Sequence, residues 1–342
     1  MFYHIETEEQ GTNGYAETVY TLKHGNGGTK AEIWPAHGFN CLRWSVGTED
    51  GPRDLLYAAP DWETNPIPTR SGIPILFPFP NRIRDGKYNS GWKDYQLPLN
   101  DSTHKNAIHG FAPRHPWSVF GYSVEEKAAW IHGDFQPSVH APESAALWPS
   151  DCILSMIYRL SERSLRQEIR VRNMGEAPLP FGIGFHGYFR FPCADKTIDR
   201  YKLLAPARSL WESIENLPTG ERRPVPDELN WNTPRRIGST QLDTLYTDLG
   251  VIAERGDGLL LRAELGHTEF PGSLQVWTSQ DFRESVLFTP PHRQAVCIEP
   301  YTCATDAVNL TERGIDAGWK VLPPEGVWSG VVEYRWDPRT DV

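Results

Sequence analysis

Leu165-Arg166-Gln167-Glu168-Ile169-Arg170-Val171-Arg172 is the stretch whose reading decides the fold. Its residues alternate with period two, so an extended chain here is polar on one face and apolar on the other, as on a sheet with one side in water. Working outward, the same alternation marks Ala31-Glu32-Ile33-Trp34, Leu259 to Leu265, Leu274 to Thr278 and Val331 to Trp336 as strands, all rich in β-branched and aromatic residues. Between them 29 prolines and 29 glycines cut the chain into pieces too short for long helices. Only Leu242, Leu245, Tyr246 and Leu249, ahead of Gly250, show helical spacing, over a span that fits a helical turn or a loop equally well. Many short strands without βαβ alternation predict a large antiparallel β-sandwich. With no repeat, low-complexity tract or linker, residues 1–342 read as a single domain, and Pro137 to Pro149 as a surface loop.

The composition narrows the function. A net charge of −10 and a pI near 5.6 oppose binding to nucleic acid or to an acidic membrane surface, and the Arg-Arg pairs at 222–223 and 235–236 are isolated. Cys41, Cys152, Cys193, Cys297 and Cys303 are odd in number and have no CxxC spacing, which suits free thiols in a reducing compartment. The first ten residues lack the regions of a signal peptide, and no apolar run reaches membrane-spanning length. A soluble, cytoplasmic protein is expected.

Two histidines and a glutamate stand in rigid, aromatic surroundings: His109 in Asn-Ala-Ile-His-Gly-Phe-Ala-Pro, His186 in Phe-Gly-Ile-Gly-Phe-His-Gly-Tyr-Phe-Arg-Phe, and Glu299 in Val-Cys-Ile-Glu-Pro-Tyr-Thr. Arg82, in Phe-Pro-Phe-Pro-Asn-Arg-Ile-Arg-Asp-Gly, has similar neighbours. A carboxylate and an imidazole are the minimum needed to take one proton from a substrate and give it another. Ring faces and a guanidinium suit a hydroxyl-rich ligand. Each residue also has a plainer reading. His186 could be a hydrogen-bonded core histidine, Arg82 a surface partner of Asp85 or Asp54, and Asp243 a cap of the helical turn. A carboxylate buried in an apolar strand, like Glu299, is harder to set aside, because it needs a partner. His104, His109 and His115 match no metal-ligand spacing, so no metal is expected from them.

Taken in order, the motifs resemble those of the aldose 1-epimerases, or galactose mutarotases. They run from Ala36-His37-Gly38-Phe39-Asn40 through Gly72-Ile73-Pro74-Ile75-Leu76-Phe77-Pro78, Pro80-Asn81-Arg82-Ile83 and His109-Gly110-Phe111 to Phe185-His186-Gly187-Tyr188-Phe189. Leu217-Pro218-Thr219-Gly220-Glu221, Leu242-Asp243, Leu274-Gln275-Val276-Trp277-Thr278 and Cys297-Ile298-Glu299-Pro300-Tyr301-Thr302 complete the series. The resemblance implies a β-supersandwich with a shallow sugar cleft and no metal or organic cofactor. It implies Glu299 as general base, His186 as general acid, His109 and Arg82 as sugar binders, Asp243 bonded to a sugar hydroxyl, and Gln275 on a strand lining the site.

The implied reaction interconverts the α and β anomers of a free aldohexose such as glucose or galactose by acid/base opening and closure of the ring. An ionised Glu299 close to His186 is expected to favour the imidazolium, whose unperturbed pKa of about 6.5 leaves it about a quarter protonated at neutral pH. Three rivals stand beside this reading. A hexose-6-phosphate mutarotase would need cations at the cleft rim, for which Arg84, Lys87 and Arg114 are candidates. A non-catalytic carbohydrate-binding sandwich would keep the cleft without the chemistry. A glycosidase would need a second carboxyl group as well placed as Glu299. The small-molecule sugar is the only partner implied; the oligomeric state is not legible in the sequence.

Overall fold

The computed structural model describes residues 2–12, 15–25, 28–49, 51–64, 67–91, 93–191, 197–269 and 271–338. It is built from antiparallel strands in three large sheets with few helices, the expected supersandwich. A ten-stranded sheet runs Ser118–Val124, Ala129–Phe135, Cys152–Leu160, Ser164–Asn173, Val327–Asp337, Ser273–Thr278, Leu260–His267, Tyr201–Leu204 and Arg235–Arg236, with Ala253–Glu254 paired to Leu260–His267. An eight-stranded sheet runs Leu217–Pro224, Ala207–Ile214, Asp243–Leu249, Glu284–Phe288, Val296–Tyr301, Gly184–Phe185 and Ile75–Leu76, with Gly187–Phe189 also paired to Val296–Tyr301. A five-stranded meander from Tyr3 to Asp54 precedes both.

The alternating stretches all form strands, with Leu259 standing just before Leu260–His267. In Ser164–Asn173, Leu165, Ile169 and Val171 are buried while Arg170 and Arg172 are exposed. The two large sheets stack through apolar faces: Phe189 of one meets Tyr334 of the other at 5.0 Å between ring centres, and one continuous core runs from Tyr3 to Trp336. Asp243–Leu249 departs from its helical spacing and is a strand. It lies inside the sheet between Ala207–Ile214 and Glu284–Phe288, with Leu245 and Leu249 on one face and Tyr246 on the other, a spacing that imitates a helical period. Asp243 therefore caps no helix. Within Pro137 to Pro149 the chain forms two single helical turns, Pro137–His140 and Pro142–Ala145. Cys41, Cys152, Cys297 and Cys303 are buried free thiols; Cys193 lies outside the described residues. Among the described residues no helix is long and apolar enough to cross a membrane.

Candidate active site

The register of the eight-stranded sheet assembles the site. Gly184 stands opposite Tyr301 and Gly187 opposite Ile298, and the same register sets His186 opposite Glu299. Across the other edge of that strand Glu299 faces Val286, which in turn faces Leu245. The next row on the same face is Tyr188, Cys297, Phe288 and Asp243. Cross-strand partners share a face, and so do residues two apart, so both rows point to one side of the sheet. The intervening Leu287 and Ile298 face the opposite way, toward Ala263 and Val276 of the ten-stranded sheet.

Loops wall in a cleft of about 550 Å³ above these rows, bounded by Tyr57, Arg82, His109, His186, Tyr188 and Phe288. Arg82 and His109 arrive together because the short strands Arg82–Ile83 and Ala107–Ile108 pair. His109 sits just past that pairing with φ 65°, followed by Gly110 with φ 66°. A side chain at Gly110 would place its Cβ 2.2 Å from the Phe77 carbonyl oxygen, so only glycine fits there. His109 itself holds a left-handed conformation that costs a residue with a side chain of order 1 kcal/mol. Its amide donates to the Asn81 carbonyl at 2.8 Å, fixing the bend. Arg82 donates to Asn81 Oδ1 at 3.0 Å and lies 3.4 Å from Asp101, so its partner is neither Asp85 nor Asp54.

At the floor, Glu299 Oε1 lies 3.5 Å from His186 Nε2. The other oxygen, Oε2, accepts a 2.5 Å hydrogen bond from the Tyr301 hydroxyl. The His186 ring is stacked on Tyr188, with centres 4.7 Å apart, and meets His109 edge-on at 5.6 Å. Nδ1 is buried and unpartnered in both imidazoles. The mutual support expected of an ionised pair is reversed by desolvation. Burial pushes the Glu299 carboxyl well up, with Tyr301 and Arg82 opposing and Asp243 adding to it. Burial likewise pushes His186 down to about 3. His109 is held well down by burial first and then by the charges of His186, Arg82 and Arg114. The resting pair therefore favours a carboxylic acid beside a neutral imidazole, one proton between them. Asp243 is raised by the protein packed around it, against the pull of Arg82, although the residue as a whole is exposed.

A nitrogen of His186, the sulfur of Cys297 and an oxygen of Glu299 lie within 4.8 Å of one another. Burial raises the thiol as well as the carboxyl, so a cation would have to displace protons from both. The trio suits proton handling better than metal binding.

The structure thus brings Arg82, His109, His186, Asp243 and Glu299 together. Gln275 is elsewhere: it lies in the ten-stranded sheet, donating to Glu264 at 2.8 Å and accepting from Trp277 at 3.0 Å. Its neighbour Val276 faces the inter-sheet core, so Gln275 points outward. The strand that lines the cleft is the following one, Glu284–Phe288, through Phe288. Arg84 and Lys87 are exposed, Arg84 paired with Asp306 at 3.6 Å, and neither borders the cleft, whereas Arg114 does. Sequence reasoning missed Tyr301, Tyr188, Asp101 and Arg70 as parts of this site. Tyr188 and Tyr301 stood inside quoted motifs, two residues from His186 and Glu299, and that spacing on a strand was the available signal.

Comparison with solved structures finds the same antiparallel supersandwich. A galactose mutarotase-like protein from Clostridium acetobutylicum superposes with a TM-score of 0.84 at 24% identity, covering 98% of each chain. The galactose 1-epimerase of Lactobacillus acidophilus gives 0.76 at 17% identity over 99% of each chain. The uncharacterized protein YihR of Escherichia coli K12 is 25% identical over 244 residues, 71% of this chain and 72% of that one. Residues 18–335 match the aldose 1-epimerase family model. The chain belongs to the aldose 1-epimerase family.

Proposed function

We propose that the protein is an aldose mutarotase, interconverting the α and β anomers of an aldohexose through Glu299 and His186. The observation that carries this is the 3.5 Å approach of Glu299 Oε1 to His186 Nε2 at the floor of a cleft bordered by Arg82 and His109. Mutarotation needs a proton removed from the anomeric hydroxyl while the ring oxygen gains one. Those two oxygens sit on one carbon, so two proton-handling atoms this close can serve both.

With Glu299 as base and His186 as acid, ring opening converts carboxylate and imidazolium into carboxylic acid and imidazole. Rotation about C1–C2 and closure on the other face run the transfers backwards and restore the starting pair. The pair keeps one proton throughout, and nothing is exchanged with solvent. Burial favours the neutral distribution, which is the one reached when the ring opens. The ionised pair is therefore the minor form at rest, reached when the shared proton passes from Glu299 to His186, and ring opening returns the site to its favoured distribution. Each positioned transfer typically contributes ~10²–10⁴ in rate. In this reading Arg82, already fixed by Asp101, and Asp243, near enough to feel the Arg82 charge, hold ring hydroxyls.

Polarimetry of freshly dissolved α-glucose and α-galactose tests the reading. Optical rotation should relax faster with enzyme than without, and the acceleration should vanish in a Glu299→Gln, His186→Asn double variant that still folds. Relaxation at the spontaneous rate with every aldose tried would overturn the reading.

A further inference from the structure

We propose that the cleft takes a hexose carrying an anionic group remote from the anomeric carbon, held by Arg70 and Arg114. This rests on the mutarotase reading and revises the neutral hexose favoured by the sequence. Three arginines border the cleft, Arg70, Arg82 and Arg114, and two acidic residues, Asp61 and Asp101. Asp101 is already committed. Besides Arg82 it accepts from Asn106 Nδ2 at 3.0 Å, from the Thr103 hydroxyl at 2.9 Å and from the Lys105 amide at 3.0 Å. Burial acts to raise it, and these bonds outweigh burial to leave it firmly ionised. Arg82 is thus neutralised before any ligand arrives.

Arg70 and Arg114 differ. Neither makes an ion pair or a side-chain hydrogen bond among the described residues. Each ends a short 3₁₀ turn with one proline at its first or second position, Pro68–Arg70 and Ala112–Arg114, and the two turns pack against each other. Both guanidinium stems are therefore rooted at one corner of the cleft. Arg114 is half-buried, and its Nε is shut off from water without an acceptor. Burial lowers Arg114, and no carboxylate opposes the effect. In a chain with 44 acidic and 34 basic side chains, a partly desolvated guanidinium without a counter-ion is a costly arrangement. Both cations also act on the floor: the charge of Arg114 helps depress His109, and that of Arg70 opposes the burial-driven rise of Tyr188.

Neutral hydroxyls ask for one donor at a time, and Arg82, His109 and Asp243 can supply those bonds. Two further guanidinium forks at one corner match the several oxygens of a phosphate or carboxylate. On an aldohexose that group must spare C1, whose hemiacetal is the reacting centre. The exocyclic carbon is the natural carrier, as in a 6-phosphate or a uronate.

The test compares kcat/KM for mutarotation of glucose, glucose 6-phosphate and glucuronate, with calorimetric binding of the same three sugars, in wild type and in an Arg70→Gln, Arg114→Gln double variant. At least a tenfold preference for one of the anionic sugars is expected, shrinking toward unity in the double variant and in high salt. A lead for the phosphate identifies a sugar phosphate, and a lead for glucuronate a uronate. Turnover of glucose with no anionic preference in rate or binding overturns the inference and leaves the mutarotase reading standing. Tighter binding of an anionic sugar, lost in the double variant, with no turnover of any sugar, supports the anion site and overturns the mutarotase reading. Neither turnover nor preferential binding overturns both.

Discussion

Glu284 and Glu299 lie on paired strands of one sheet, point to one face, and are both almost fully buried, yet their surroundings differ. Glu284 accepts from the Trp211 indole at 2.9 Å and from the Thr247 hydroxyl at 3.1 Å, with Arg283 3.6 Å away. Each of its oxygens has a fixed protein donor, and none of its partners is an imidazole at the cleft. Glu299 has one fixed donor, Tyr301, and its other oxygen faces an imidazole at the cleft floor. Equal burial therefore does not make equal chemistry. A carboxyl whose partners are all immovable is structural, and one that faces a second proton carrier can exchange. The contrast also weakens the glycosidase reading, since the second buried carboxyl in the sheet is enclosed in its own network.

The largest difference should appear on removing each carboxyl. Glu299→Gln should lower kcat by ~10² or more with folding intact, whereas Glu284→Gln should leave kcat within about threefold. Polarimetric initial rates check both, and similar losses in the two variants would erase the distinction. Among the imidazoles, His186→Asn should lower kcat strongly, while His109→Asn, which removes a ring at the cleft wall, should chiefly raise KM.

Glu284 should instead show itself in stability. Burial raises Glu284 to about 7, from an ordinary carboxyl value near 4.5. A carboxyl raised on folding binds its proton more tightly in the native state, so it favours folding at low pH, and that contribution is lost as pH rises from the unfolded to the folded value. For this shift the loss comes to about 3 kcal/mol between roughly pH 4.5 and 7. Glu284→Gln should flatten that slope in denaturant unfolding measured across the window. An unchanged slope would mean that Glu284 is ionised without penalty.

A smaller effect should follow from Tyr301→Phe, which removes the one fixed donor to Glu299. The carboxylate then loses a stabilising bond, so its pKa should rise further, and kcat should fall by about tenfold with the alkaline limb of the rate profile moved up in pH. A fall in rate with no movement of that limb would show Tyr301 to be mere packing.

What could be read from the sequence follows from which interactions are local. The alternating stretches became strands because their period belongs to each strand alone. Asp243–Leu249 misled because its apolar residues, Leu245 and Leu249 on one face and Tyr246 on the other, fall on both sides of the strand and show no strict alternation. Gln275 misled for a related reason: Ser273–Thr278 is buried throughout, so nothing local says which side chain faces which layer. His186, Glu299, His109 and Arg82 stood out through the rigid glycine, proline and aromatic neighbours that hold them. Their proximity came from register, which no single strand encodes. Glu284 was silent because its partners Trp211 and Thr247 are 73 and 37 residues away. Asp101 went unnoticed beside nearer acids because only the folded loop brings it to Arg82. The protonation states were misjudged because an imidazole and a carboxylate were weighed by their mutual charge, while their shared burial proved the larger effect.

The pH dependence of mutarotation tests the central claim, a single proton held by Glu299 and His186 and passed through the sugar. The rate should be followed from about pH 5 to 9 with glucose and with glucuronate, whose own groups do not titrate in that range. With His186 pushed down and Glu299 pushed up, the pair keeps one proton over a wide range, and the account predicts kcat/KM level through pH 6.5. A titration step centred near 6.5, the value of an unburied histidine, would contradict it.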